Sequence, residues 1–276
     1  LPVFKEGEAE RVIAQTKIER KHTVVDGMTL IDLFEQAFEK LVSELQWERE
    51  TIDAIVVVSN SFEYIVPATA CILQGKLNLS EDCHAFDIRQ GCPGWVIGMS
   101  TLSSMMSNGY IKRAILFAGE TTTLMNSPLD KETRQLFGDA GTATALEFDE
   151  NATDLEFLHG TRGKEFKAIF TPCGGTAHPV DEDALKYIEY GPNQLRRGID
   201  CVMEGMNVFG FGLSVAPKSV NQLCEYFEID KDKVDYFLFH QANGYMNEKI
   251  RKKLKIEPEK VPYCMKDYGN TASASI

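Results

Sequence analysis

Apolar positions along this chain change their period several times, and each change marks an expected element. Leu30, Leu33, Phe34, Phe38, Leu41 and Val42 recur three and four residues apart, which predicts one amphipathic helix laid on a sheet. Asp26-Gly27 signals a turn before it, and Thr29 stands where a capping side chain belongs. Glu8 to Ile18 reads as a short helix and turn. The β-branched run from Ile52 to Val58 has the pattern of a strand covered on both faces. Its end, Ser59-Asn60-Ser61, turns polar where α/β proteins place their sites. Pro67 to Leu77 follows as a helix with Ala68, Ala70, Cys71, Leu73 and Leu77 on its stripe. Ala85 to Ile88 reads as a strand. Val96 to Ser107 reads as a small-residue helix suited to enclosure on all sides, with Asn108-Gly109 as its stop. Arg113 to Gly119 and Gly141 to Phe148 are two further strands.

From about Asn151 the pattern starts again. Leu155 to Gly160 and Phe166 to Phe170 are expected as paired strands, and Cys173 to Gly191 is loop-rich and has no clear element. Gly198 to Phe227 is expected as a long helical stretch interrupted near Gly210 and Gly212. A buried strand from Val234 to His240, a basic amphipathic helix from Met246 to Leu254 and a short strand from Val261 to Met265 complete the list. Two successive runs of strand, helix and buried strand predict an internally duplicated α/β chain, with one half over residues 1–150 and the other over 151–276.

Composition narrows the function. With 276 residues and 43% apolar content the chain can bury one large core or two fused smaller ones. The seven cysteines lack C-x-x-C pairs and metal-ligand spacing, which argues against zinc and against a secreted disulfide framework and for reduced thiols in a cytoplasmic enzyme. No apolar run approaches the roughly 18 residues of a membrane span, and no signal peptide is evident. A formal charge of −12 argues against a nucleic-acid partner. Lys249-Ile250-Arg251-Lys252-Lys253 is nonetheless locally basic, and fits either an acidic carrier protein or a solvated helix face.

The candidate chemistry begins at Gly91-Cys92-Pro93-Gly94. An apolar segment ends there and helical spacing begins, so Cys92 is expected at a strand-to-helix turn. Free backbone N–H groups and the positive end of the helix dipole favour a thiolate at such a place. The same residue also fits a buried structural thiol.

Two later stretches change the weight of that alternative. Tyr236-Phe237-Leu238-Phe239-His240-Gln241-Ala242-Asn243 is an apolar segment ending in histidine, and Tyr268-Gly269-Asn270-Thr271 puts an asparagine in a glycine turn. With Gly91-Cys92-Pro93-Gly94 they resemble, in chain order, the Cys, His and Asn motifs of the β-ketoacyl-ACP synthase III family. Phe137-Gly138-Asp139-Ala140-Gly141 is similar to that family's Phe-Gly-Asp-Gly-Ala-Gly stretch, and Thr16 to His22 to its Thr-Gly-Ile-Arg-Glu-Arg-His stretch.

The resemblance implies a thiolase-like fold of two duplicated α/β halves in a five-layered αβαβα core. It implies a short strand before Leu1, and after Ile276 a helix and two strands that include a glycine-rich segment. Carried over by position, Cys92 is the acylated nucleophile, while His240 and Asn270 polarise the carbonyl of a malonyl thioester. Leu136, Phe137, Met203, Gly205, Phe209, Ala242, Asn243 and Met246 would line the tunnel for the phosphopantetheine arm, with Phe137 close to the thiol. The implied partners are acyl carrier protein and acyl and malonyl thioesters, carried on phosphopantetheine of the carrier or on coenzyme A, with no resident cofactor and no metal. A homodimer is implied too, in which Val66 shapes the neighbouring acyl pocket. His22, His84, His159 and His178 lack matching flanks and read as structural or surface histidines.

The chain also departs from the family pattern. Gln15 stands where an arginine precedes the first stretch, Arg11 or Val12 where a tryptophan is usual, Lys131 in place of a second arginine and Met206 in place of an asparagine. Losing the stacking plane and the bidentate guanidinium weakens the grip expected on coenzyme A, which points to an acyl donor on the carrier protein or another thioester and to a specialised pathway. Two other readings stay open at this stage: a relative that passes the acyl group to an oxygen or nitrogen nucleophile, and a non-catalytic partner subunit of the same fold.

Overall fold

The computed structural model describes residues 3–191 and 194–276. Its elements are α1 (Glu8–Thr16), α2 (Leu30–Leu45), β1 (Ala54–Ser59), α3 (Thr69–Lys76), β2 (His84–Arg89), α4 (Gly94–Met106) and β3 (Arg113–Glu120). There follow α5 (Thr122–Met125), β4 (Ala140–Glu147), β5 (Ile169–Phe170), β6 (Ile188–Gly191), β7 (Gln194–Arg196) and β8 (Val202–Met203). The helices α6 (Gly205–Tyr226), α7 (Gly244–Leu254) and α8 (Met265–Tyr268) close the order. The chain forms two compact units.

One unit comprises residues 23–121, 139–156 and 271–276 and holds a four-stranded sheet in the order β2-β1-β3-β4. β1 runs parallel to β2 and β3, with Val56 opposite Phe86 and Leu116, and β4 is antiparallel to β3. Every residue of β1 is buried, as a central parallel strand requires when helices cover both faces. On one face Leu30, Phe34 and Phe38 of α2 and Leu73 of α3 pack against Ile55, Val57, Ile115 and Phe117. On the other, Leu102 and Met106 of α4 meet Val56, Val58, Ala114 and Leu116. The start of α2 follows its sequence: the Asp32 carboxylate accepts from the backbone N–H of Thr29 at 2.7 Å and from its hydroxyl at 3.1 Å.

α4 is buried along one line, Gly94, Gly98, Leu102 and Met106, while Ser104 is exposed. Apart from Ser104 its other positions are partly buried, so burial is deepest along one face. Glycine is required on that face: a Cβ at Gly94 would collide with Val58 and one at Gly98 with Leu116, so the missing side chains are what let the helix lie close to β1 and β3.

The second unit comprises residues 1–22, 122–138 and 157–270. α6 and α7 pack through Val208, Phe209, Leu213, Met246, Ile250 and Leu254. Nearby in sequence, Arg196 makes a bidentate ion pair with Asp130 (Nε to Oδ2 2.9 Å, Nη2 to Oδ1 3.0 Å) and adds Glu132 at 3.0 Å.

This unit departs from the sequence expectation in four places. Residues 157–162 are irregular, 163–168 form 3-10 turns, and Ile169–Phe170 pairs with Val202–Met203 instead. Leu155, Leu158 and Phe166 are exposed, so apolar content there does not report burial. The expected long helix begins only at Gly205 and runs 22 residues through Gly210 and Gly212. A Cβ at Gly212 would lie 2.7 Å from the Met246 sulfur, so this glycine serves close packing and not a break.

Residues 234–240 form no strand among the described residues, and Tyr236 and Leu238 are 65% and 60% exposed. Their alternation is real, since Phe237 and Phe239 pack on the α6–α7 cluster; strand status needs a hydrogen-bonded neighbour that periodicity does not supply. The short strand expected at Val261 to Met265 is absent among the described residues. Val261 instead follows a 3-10 turn at 258–260, and Met265 opens α8.

Candidate active site

Cys92 occupies the turn between β2 and α4, half-buried, with Pro93 in the capping position of the helix. The turn is closed by the Gly94 N–H donating to the Gly91 carbonyl at 2.8 Å, and the next helical turn by Ile97 N–H donating to Pro93 at 3.1 Å. The thiol therefore sits at the carboxyl end of a parallel strand, where open α/β sheets hold their reactive groups.

The same edge carries a hub the sequence reading passed over. Glu120, the last residue of β3, is 2% exposed. Its carboxylate accepts four hydrogen bonds from the end of β1: Ser59 hydroxyl at 3.0 Å, Asn60 N–H at 2.8 Å, Ser61 N–H at 3.0 Å and Ser61 hydroxyl at 2.8 Å. Burial pushes this carboxyl above the usual range, against the pull of those donors. The one sequence signal for it was an acid ending an otherwise apolar strand.

In the other unit three of the sequence motifs meet. Asn270, 4% exposed, donates its backbone N–H to Leu136 at 2.8 Å and accepts from the Gly138 N–H at 3.0 Å, forming a bridge with Phe137. Lys21 donates to the carbonyls of Phe137, at 2.7 Å, and Arg134. His22 stacks on Tyr268 with ring centroids 5.4 Å apart. A Cβ at Gly138 would strike the Tyr268 carbonyl, and Gly269 has φ 73°, so both glycines are demanded by this close association.

His240 ends the segment 234–240, half-buried, and its carbonyl accepts from the Asn247 side chain at 2.9 Å and from the Ala242 N–H at 2.9 Å. Gln241 clasps the same bend, donating to Phe239 at 2.7 Å and accepting from the Cys264 N–H at 3.1 Å. Neither Asn247 nor Gln241 was singled out from sequence, because a polar side chain serving the backbone leaves no periodic trace.

Of the expected lining residues, Phe209, Ala242 and Met246 gather in the α6–α7 cluster, and Phe209 stacks on Tyr245 with centroids 5.6 Å apart. Met203 is buried in β8 and Gly205 opens α6. Leu136 and Phe137 stand beside Asn270. Asn243 caps α7, its side-chain oxygen accepting from the Met246 N–H at 2.9 Å. A depression of about 500 Å³ against α6, bordered by Arg162, Lys167, Met206 and Phe211, contains none of these lining residues. Among the described residues no group of His, Cys, Asp and Glu could hold a metal ion, no cysteine is in a disulfide, and no helix is long and apolar enough to cross a membrane.

Comparison with known proteins covers most of the chain. Residues 86–163 match the family described as 3-oxoacyl-[acyl-carrier-protein] synthase III, and residues 224–276 match its C-terminal region. A Campylobacter jejuni relative is 31% identical over 250 residues, which is 89% of this chain and 69% of that protein. A crystal structure of 3-oxoacyl-(acyl-carrier-protein) synthase III superposes with a TM-score of 0.93 at 29% identity, over 96% of this chain and 80% of the other. The 3-oxoacyl-(acyl-carrier protein) synthase of Burkholderia xenovorans LB400 superposes at 0.87 with 33% identity, over 100% of this chain and 77% of the other.

Proposed function

The chain belongs to the 3-oxoacyl-[acyl-carrier-protein] synthase III family of thiolase-fold condensing enzymes, and from that premise we propose that Cys92, His240 and Asn270 carry its reaction. In the first half-reaction the Cys92 thiolate attacks the carbonyl of an acyl thioester, a C–S bond forms, and the carrier thiol leaves. In the second, malonyl-ACP loses carbon dioxide, and the enolate carbon attacks the acyl group on Cys92. A C–C bond forms and the thiolate is released. The obstacle is the negative charge on the enolate oxygen. Donors aimed at such a charge are commonly worth about 3–4 kcal/mol each, and an imidazole N–H from His240 and an amide NH2 from Asn270 are donors of the required kind.

The observation that carries this reading is the placement of Cys92 on the β2–α4 turn at the carboxyl end of the sheet. Leu136, Phe137, Met203, Gly205, Phe209, Ala242, Asn243 and Met246 are assigned to the arm of the carrier, with no resident cofactor. We assign the acyl donor to the carrier protein. Lys131, in the place expected to grip coenzyme A, is instead 3.0 Å from both Glu8 carboxylate oxygens, and the backbone N–H of Lys5 and then Lys131 hold Glu8 below the usual carboxylate range. A homodimer in the cytoplasm completes the reading, supported by the exposure of Tyr64, Ile65 and Val66 at 64%, 92% and 79%.

The test is carbon dioxide release from malonyl-ACP with an acyl-ACP donor. The wild type is expected to release it in step with product, and Cys92→Ala to form no condensation product. Acyl uptake on Cys92 without carbon dioxide release would make the chain an acyltransferase to another nucleophile. Acyl-CoA loading the thiol as fast as acyl-ACP would overturn the donor assignment.

A further inference from the structure

The Asn60 side chain of the loop after β1 lies beside Gly91 of the nucleophile turn, in the space a side chain there would need. A Cβ built on Gly91 has as its sole neighbour within 4 Å the Asn60 side-chain nitrogen, at 3.1 Å. Gly91 has no left-handed φ, so its lack of a side chain answers to Asn60 and not to backbone strain. The Asn60 carboxamide has no hydrogen-bond partner among the described residues, whereas its backbone is held firmly from below. Its N–H donates to Glu120, and both flanking serines bind the same carboxylate. Ser61 is tied further, its hydroxyl accepting from the Thr121 N–H at 2.9 Å. A buried acid with four donors converging on it is costly to install, and its product is one rigid three-residue loop that presents a single amide to the residue before Cys92.

We propose that Asn60 is a positioning residue for the nucleophile: fixed by Glu120, its carboxamide braces Gly91 and so sets the direction of the Cys92 sulfur. This rests on Cys92 being the acylated thiol, and goes beyond that reading by adding a brace that touches no reacting atom. A misplacement of about 1 Å at a reacting group can cost up to ~100-fold in rate, which is the scale on which such a brace acts.

The experiment is a double-mutant cycle on the intact chain, Asn60→Ala, Gly91→Ala and the two combined. Two rates are read: acyl uptake from acyl-ACP by intact mass, and alkylation of Cys92 by iodoacetamide mapped by peptide mass. Each single variant is expected to slow both rates about tenfold, and the pair also about tenfold rather than about 100-fold, because the Cβ of Gly91→Ala displaces the same carboxamide that Asn60→Ala removes. The donor concentration at half saturation is expected to stay put, since the brace acts on the sulfur and not on binding, and thermal midpoints should remain near wild type for Asn60→Ala. Ser61→Ala, which loosens the same loop, should slow alkylation and add nothing to Asn60→Ala. Wild-type alkylation in Asn60→Ala, or multiplicative losses in the pair, would overturn the proposal. Failure of the wild type to take up acyl groups, with the alkylation coupling intact, would sink the assignment of Cys92 and leave the brace standing.

Discussion

Glycines in this chain differ in what they permit. Gly94 and Gly98 let α4 touch Val58 and Leu116, whereas nothing lies within 4 Å of a Cβ at Gly75 in α3. Gly94→Ala and Gly98→Ala are therefore expected to destabilise by about 1–3 kcal/mol through overpacking. Gly75→Ala should stabilise by about 0.4–1 kcal/mol, because it restricts the unfolded chain at no native cost. Chemical denaturation of the three variants checks both signs. Thiols separate in the same way: burial pushes Cys83 up to about 11, so iodoacetamide at pH 8 should leave it intact in the folded protein, as peptide mapping would read.

At the scale of elements, two ionic arrangements make opposite predictions. Arg196 and Asp130 are 2% and 0% exposed, so Arg196→Met leaves a buried carboxylate without its cation, held only by the Thr133 hydroxyl and the Glu132 N–H, and should cost about 3–5 kcal/mol. The double variant Arg196→Met with Asp130→Leu should recover much of that loss in urea unfolding. On α7, Arg251 and then Lys252 hold Glu248 at about 2. A carboxylate lowered in the folded state stabilises above the usual value and loses that contribution as pH falls through about 2. The midpoint difference between wild type and Glu248→Gln should accordingly shrink from pH 5 toward pH 2. It should also be small and salt-sensitive, because Glu248 is 40% exposed. Legibility follows the same division. α2 was readable to its cap because Leu30, Phe34, Phe38 and Thr29 carry both stripe and start signal. Val234 to His240 was misread because alternation announces a face, not a partner strand.

For the whole molecule, a charge of −12 would repel an acidic carrier, leaving Lys249, Lys252 and Lys253 of α7 as the local exception. Lys249→Glu with Lys252→Glu is expected to raise the half-saturating concentration of acyl-ACP about tenfold, with little change at saturation, and the effect should fade at high salt. Steady-state kinetics at two ionic strengths would show it.

By itself the sequence determined the class of the chain and the strand-to-helix turn that holds Cys92. β1, β2, β3 and α4 are announced by local pattern, and Gly91-Cys92, His240 and Asn270 by short motifs whose order in the chain is itself information. Only the tertiary structure decided which distant groups hold the loops near these motifs. Glu120 reaches back 60 positions to Asn60, and Lys21 reaches Phe137 across 116. A hydrogen bond between residues so far apart leaves no periodicity, since it is set by where two strand ends or two loops arrive and not by the residues beside either partner.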